Sequence, residues 1–145
     1  EDVKTIPGTD GRKMSKSYDN VIGLFASDEE IKKAVMSIPT DSKAVEEPKA
    51  PSECKVFAIH ELFPDAELEA LRARYKNGGI GYKESKDLLV EKIIAFVAPM
   101  RSRRAEIARD PEAVLKILKE GGEVARAKAQ EKMKEVREKV GLILK

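Results

Sequence analysis

The chain has one cysteine, one histidine and no tryptophan, and aromatic residues make up only 5% of its 145 positions. A lone Cys54 excludes a disulfide within the chain and a cysteine metal cluster, and it fits a reducing, cytoplasmic setting. The longest apolar run, Ile93–Met100, falls far short of the roughly 20 residues that span a bilayer. No basic start followed by an apolar stretch reads as a signal peptide. Charged residues are abundant at 37%. With few aromatics and many Ile, Leu, Val and Ala, this composition predicts a helix-rich protein with an aliphatic core.

The net charge of +2 hides a split. Residues 1–71 carry 9 Lys+Arg against 15 Asp+Glu, a net −6, and residues 72–145 carry 19 against 11, a net +8. Such a basic half suits either a polyanionic partner or helices with charge-rich solvated faces.

Residues 1–26 show no helical period, and they read as extended backbone ending in a loop. Ser27-Asp28-Glu29-Glu30 is a capping box, followed by Ile31, Val35 and Ile38 at helical spacing and a stop at Pro39. Residues 40–52 form a connector. A second helix is expected from Ser52, carrying Val56, Phe57, Ile59, His60 and Phe63. A third, opened by Pro64-Asp65, holds Leu68 and Leu71 and ends at Gly78-Gly79. Leu89, Ile93, Phe96, Val97 and Met100 form one stripe of a long helix, with a kink expected at Pro99. Asp110-Pro111 opens a helix through Leu118. Gly121-Gly122 is expected to separate it from a last helix whose buried seam is Ala125, Ala129, Met133, Val136 and Val140. The predicted architecture is all-α: a helical bundle over residues 27–145, preceded by a non-helical N-terminal arm over residues 1–26.

The chemistry-bearing stretch lies in that arm. Lys13-Met14-Ser15-Lys16-Ser17 follows a glycine-rich turn. Backbone N–H groups of such turns form anion-binding nests, and lysines add mobile point charges that can follow a phosphate. The spacing of a Walker A loop is absent. Composition alone suits a polar surface turn equally well. With few apolar anchors, residues 8–19 are expected to be loosely held. His60, flanked by Ile59, Leu62 and Phe63, reads as a core histidine rather than a general base, and Cys54 reads as structural.

The literal string K-M-S-K-S is the signature loop of class I aminoacyl-tRNA synthetases. Its surroundings resemble the bacterial-type tryptophanyl-tRNA synthetases. These are Pro7-Gly8-Thr9-Asp10-Gly11-Arg12, Tyr18-Asp19-Asn20, Ile38-Pro39-Thr40-Asp41-Ser42 and Gly78-Gly79-Ile80-Gly81-Tyr82-Lys83. Glu120-Gly121-Gly122 with Ala125-Arg126, and Val140-Gly141-Leu142, fit as well, so the resemblance runs from about Val3 to Leu144. It implies a two-step reaction: tryptophan and ATP give the adenylate and pyrophosphate, and the tryptophanyl group then moves to tRNA(Trp). It assigns Lys13 and Lys16 to the charge that develops on pyrophosphate. Met14 and Ser15 would shape the turn and offer backbone N–H groups, Ser17 would help hold it, and Val3 would lie near the adenine. ATP would arrive with Mg2+ on its triphosphate.

The family's other nucleotide motif, of H-x-G-H or T-x-G-N type, does not occur in this sequence. The resemblance therefore implies that the chain is the C-terminal part of a synthetase, inactive by itself. Tryptophan would be met through an N-terminal Rossmann domain, and the full-length protein would be a homodimer. The helical part would be a tRNA anticodon-binding domain. Lys83, Lys86, Lys92, Arg101 and Arg103 are candidates for its basic face, with Tyr75 and Tyr82 as stacking aromatics. A free-standing helical RNA-binding module with a vestigial loop is the alternative.

Overall fold

The computed structural model describes residues 5–142. Among these, five α-helices occur and no strand: α1 Asp28–Met36, α2 Lys55–His60, α3 Ala66–Asn77, α4 Tyr82–Ile107 and α5 Pro111–Lys139. The protein is all-α, as the periodicity predicts. The described part of the arm carries one 3-10 turn, Lys16–Tyr18, and one isolated antiparallel bridge, Pro7 to Lys13. The chain divides into two compact units, the first ending at Arg101 and the second starting at Ser102. The arm and the first helices thus share one unit. No helix among the described residues is long and apolar enough to cross a membrane.

The helix starts follow local chemistry. Ser27 Oγ accepts from the Glu30 N–H at 3.2 Å, while Glu30 Oε2 accepts from the Ser27 N–H at 2.7 Å, closing the expected box. Asp65 caps α3 through the N–H groups of Glu67 and Leu68. Asp110 caps α5 through the Ala113 N–H, with Pro111 in the first turn. At the end of α3, Gly78 has φ +82°, and a Cβ there would run into the carbonyl of Glu46, so only glycine fits. The second helix starts later than expected: Ser52 lies in the 3-10 turn Pro51–Glu53, and α2 runs only from Lys55 to His60.

The first unit has two apolar clusters, and α2 lies between them. Val56 and Ile59 join Ile31, Val35, Ile38, Leu89, Val90, Ile93 and Val97. Phe57 faces the other way, toward Leu68, Leu71, Tyr75 and Ile80. A buried polar chain runs beside them. Tyr75 Oη lies 2.6 Å from Ser85 Oγ, and His60 Nε2 lies 3.0 Å from the Ser85 carbonyl. A carbonyl only accepts, so Nε2 carries the proton. Nδ1 is buried without a partner among the described residues. Burial pushes the His60 pKa below its ordinary value, so it packs as a neutral core residue.

Three expectations about the C-terminal half are corrected. Gly121 and Gly122 do not end a helix, because α5 continues through them to Lys139. Neither has a positive φ, and each costs a helix only about 1 kcal/mol, which a long run of Lys, Glu, Ala and Leu offsets. The expected seam of Ala125, Ala129, Met133, Val136 and Val140 is exposed, and no side chain of α5 is buried. Within α4, Leu89, Ile93 and Val97 are buried, but Phe96 is 52% exposed and sits edge-on to Phe63 with centroids 5.6 Å apart. The helix continues past Pro99.

Candidate functional site

Residues 5–20 build a tight loop. The Gly8 N–H donates to the Arg12 carbonyl at 2.7 Å, and the Met14 N–H donates to the Ile6 carbonyl at 2.8 Å. Gly11 turns the chain with φ +83°, and a Cβ there would press on the methylene stem of Lys55, so α2 props this elbow. Asp10 accepts from the Arg12 N–H at 2.9 Å and from Arg12 Nε at 2.6 Å. The Arg12 guanidinium also lies over the Tyr18 ring, 4.6 Å from its centroid. Ser15 caps the Lys16–Tyr18 turn, and Asp19 closes it in the left-handed region at φ 52°.

Asn20 ties these parts together. Its side chain donates to Asp10 Oδ1 at 2.8 Å and to the Lys13 carbonyl at 3.1 Å, and it accepts from the Ser15 N–H at 2.8 Å. The Asn20 contact, with Arg12 adding to it, pulls the Asp10 pKa down to about 2. The segment expected to be loosely held is therefore internally hydrogen-bonded.

The backbone donors differ from expectation too. The Met14, Ser15 and Ser17 N–H groups all have partners inside the loop, respectively the Ile6 carbonyl, Asn20 Oδ1 and Ser15 Oγ. They do not form the open nest that the glycine- and serine-rich composition suggests. What the loop presents outward is Lys13 and Lys16, both exposed, their ammonium groups making no ion pair or hydrogen bond among the described residues. Two ammonium groups on a braced scaffold, uncompensated by carboxylates, suit a polyphosphate. Val3 lies outside the described residues.

The candidate RNA residues differ in exposure and in partners. Lys86 is corrected outright: it is buried, its ammonium donating to the Met36 and Ile38 carbonyls at 3.0 and 2.7 Å. It satisfies the C-terminal end of α1, and burial lowers its pKa. Arg101 donates to the Ala26 carbonyl at 3.0 Å and pairs with Asp28 at 2.7 Å. Lys92 pairs with Asp65 at 2.6 Å. Tyr75 is fully buried, which removes it as a stacking platform. Tyr82 is half-buried beneath the Lys49 ammonium, 5.4 Å from the ring centroid, and burial with the Asp41 carboxylate raises its pKa. Lys83 and Arg103 are exposed, the latter paired with Glu106 at 2.9 Å.

Comparison with known proteins shows the family. Residues 3–98 match the family model for tRNA synthetases class I (W and Y). Tryptophan–tRNA ligase of Campylobacter jejuni (strain RM1221) is 43% identical over 143 residues, covering 98% of this chain and 45% of the relative. The Rhodopirellula baltica ligase of the same name is 41% identical over 138 residues, covering 94% and 43%. A crystal structure of Campylobacter jejuni tryptophanyl-tRNA synthetase complexed with ADP and tryptophan superposes with a TM-score of 0.85 at 42% identity, covering 97% of this chain and 44% of that one. The chain thus spans less than half the length of the curated relatives it matches.

Proposed function

The chain belongs to the class I tRNA synthetases of the tryptophan and tyrosine (W and Y) family, and on that premise we propose that it serves as the loop-bearing and helical part of a tryptophan–tRNA ligase. In this reading residues up to 26 close the nucleotide site and the helices from residue 27 onward contact tRNA(Trp). The carrying observation is the identity of 43% over 98% of the chain to a ligase named for tryptophan. It is supported by the two unpaired lysines that the loop holds outward.

The chemistry follows from placement. When the tryptophan carboxylate attacks the α-phosphorus of ATP, negative charge grows on the departing pyrophosphate. Lys16 and Lys13 meet that charge, acting by electrostatics rather than by bonding to the reacting atoms. Their long stems let the ammonium groups follow the phosphates while the backbone stays braced. Mg2+ enters bound to the triphosphate oxygens of ATP. Of the candidate basic residues, Lys83 and Arg103 are the exposed ones, and they would meet tRNA phosphates.

ATP–pyrophosphate exchange with the full-length protein tests the assignment. Exchange is expected with tryptophan and only at background with tyrosine. Tyrosine-driven exchange at a comparable rate, or none with either amino acid, would refute it.

A further inference from the structure

We propose that Asn20 is a positioning residue for adenylate formation: by pinning both arms of the loop through its side-chain amide, it fixes the backbone from which Lys13 and Lys16 reach the triphosphate. This rests on the function proposed above.

Asn20 is 2% exposed, although the segment around it is mostly exposed. A buried primary amide is costly unless its donors and acceptor are used. Here both donors and the carbonyl oxygen are engaged, by Asp10, Lys13 and Ser15. The partners also fix which way the amide points. A carboxylate and a carbonyl can only accept, and an N–H can only donate, so Nδ2 faces Asp10 and Lys13 while Oδ1 faces Ser15. The backbone contributes too, with the Asn20 carbonyl accepting from the Thr9 N–H at 3.0 Å.

The positions of these partners give the arrangement its meaning. The Lys13 carbonyl and the Ser15 N–H flank Met14, so one side chain sets the peptide planes on both sides of that residue. Ser15 in turn caps the turn that begins at Lys16. Asp10, the third partner, is clamped by Arg12, whose guanidinium rests on Tyr18 at the far end of the same turn. Asn20 is thus the point where the approach to Lys13 and the turn bearing Lys16 are joined. The site has been kept clear for it: a Cβ on Gly8 would collide with the Asn20 amide. A loop whose lysines must meet developing charge without first reorganising gains from a buried amide that makes three contacts.

The test is a double-mutant cycle on single-turnover adenylation by the full-length protein. Asn20→Ala is expected to slow adenylation about tenfold or more, with the tryptophan dissociation constant unchanged. Added to a Lys13→Ala/Lys16→Ala background, it should slow the reaction less than about threefold further, because the groups it positions are gone. Asn20→Asp keeps the shape and the acceptor for Ser15, but it loses both donors and sets a carboxylate against Asp10. It should lose as much rate as alanine, and it stands in should the alanine variant fold poorly. Gly8→Ala should act in the same direction. A wild-type rate in Asn20→Asp, or an Asn20→Ala loss that multiplies undiminished in the lysine-free background, would overturn the proposal. If removing both lysines leaves adenylation unchanged, the functional reading itself fails and the inference falls with it.

Discussion

Lys16→Ala in the full-length enzyme is expected to slow adenylate formation about a hundredfold while leaving tryptophan affinity unchanged. Loss of a charge-assisted contact made where transition-state charge develops commonly costs about 3 kcal/mol or more. The Lys16 side chain is exposed and makes no hydrogen bond or ion pair among the described residues, so its truncation should move folding stability by less than about 0.5 kcal/mol. The effect belongs in the chemical step, because ground-state tryptophan does not carry the charge that this ammonium meets. Lys13→Ala should act in the same direction with a smaller loss. Single-turnover adenylation measured beside equilibrium tryptophan binding separates rate from affinity. A wild-type rate, or affinity lost in proportion to rate, would contradict the leaving-group role.

The second large effect is on stability. Phe57→Ala should destabilise the chain by about 3 to 5 kcal/mol, read as a lower denaturant midpoint. Phe57 is fully buried, meets Tyr75 edge-on with centroids 5.0 Å apart, and carries the Arg72 guanidinium 4.8 Å above its ring. It lies in α2, whose six residues are too few to hold a helix without tertiary packing. Because Lys55 of the same helix props the Gly11 elbow, the loss should also loosen the loop. Leu118→Ala, at a position 64% exposed on α5, is the control and should change stability by no more than about 0.5 kcal/mol. A Phe57→Ala loss below about 1 kcal/mol would contradict the two-cluster description of the core.

The elements that were legible in the sequence are those set by local rules. The Ser27 box, the Asp65 and Asp110 caps, and the Leu89–Ile93–Val97 stripe depend on residues within a turn or two of each other. The errors arise where distant partners decide. Gly121-Gly122 reads as a break because glycine pairs commonly are breaks, yet no positive φ is required there. Lys86 reads as a surface charge until the Met36 and Ile38 carbonyls, far away in sequence, claim its ammonium. Tyr75 reads as a stacking aromatic because nothing local reveals that Phe57 and Ser85 enclose it. The apolar spacing in α5 suggested a seam, but spacing alone does not supply the surface that would cover it. In the loop, the lysines were visible as a motif. Asn20 stood in the sequence as one more polar letter after it, and the short reach of its amide to residues 10, 13 and 15 appears only in three dimensions.

Amine acylation of the full-length protein, read by mass spectrometry at each lysine, tests the central claim most directly. The account predicts that ATP slows acylation of Lys16 and Lys13 several-fold, leaving the exposed Lys83 unchanged. Equal labelling of Lys16 with and without saturating ATP would contradict it.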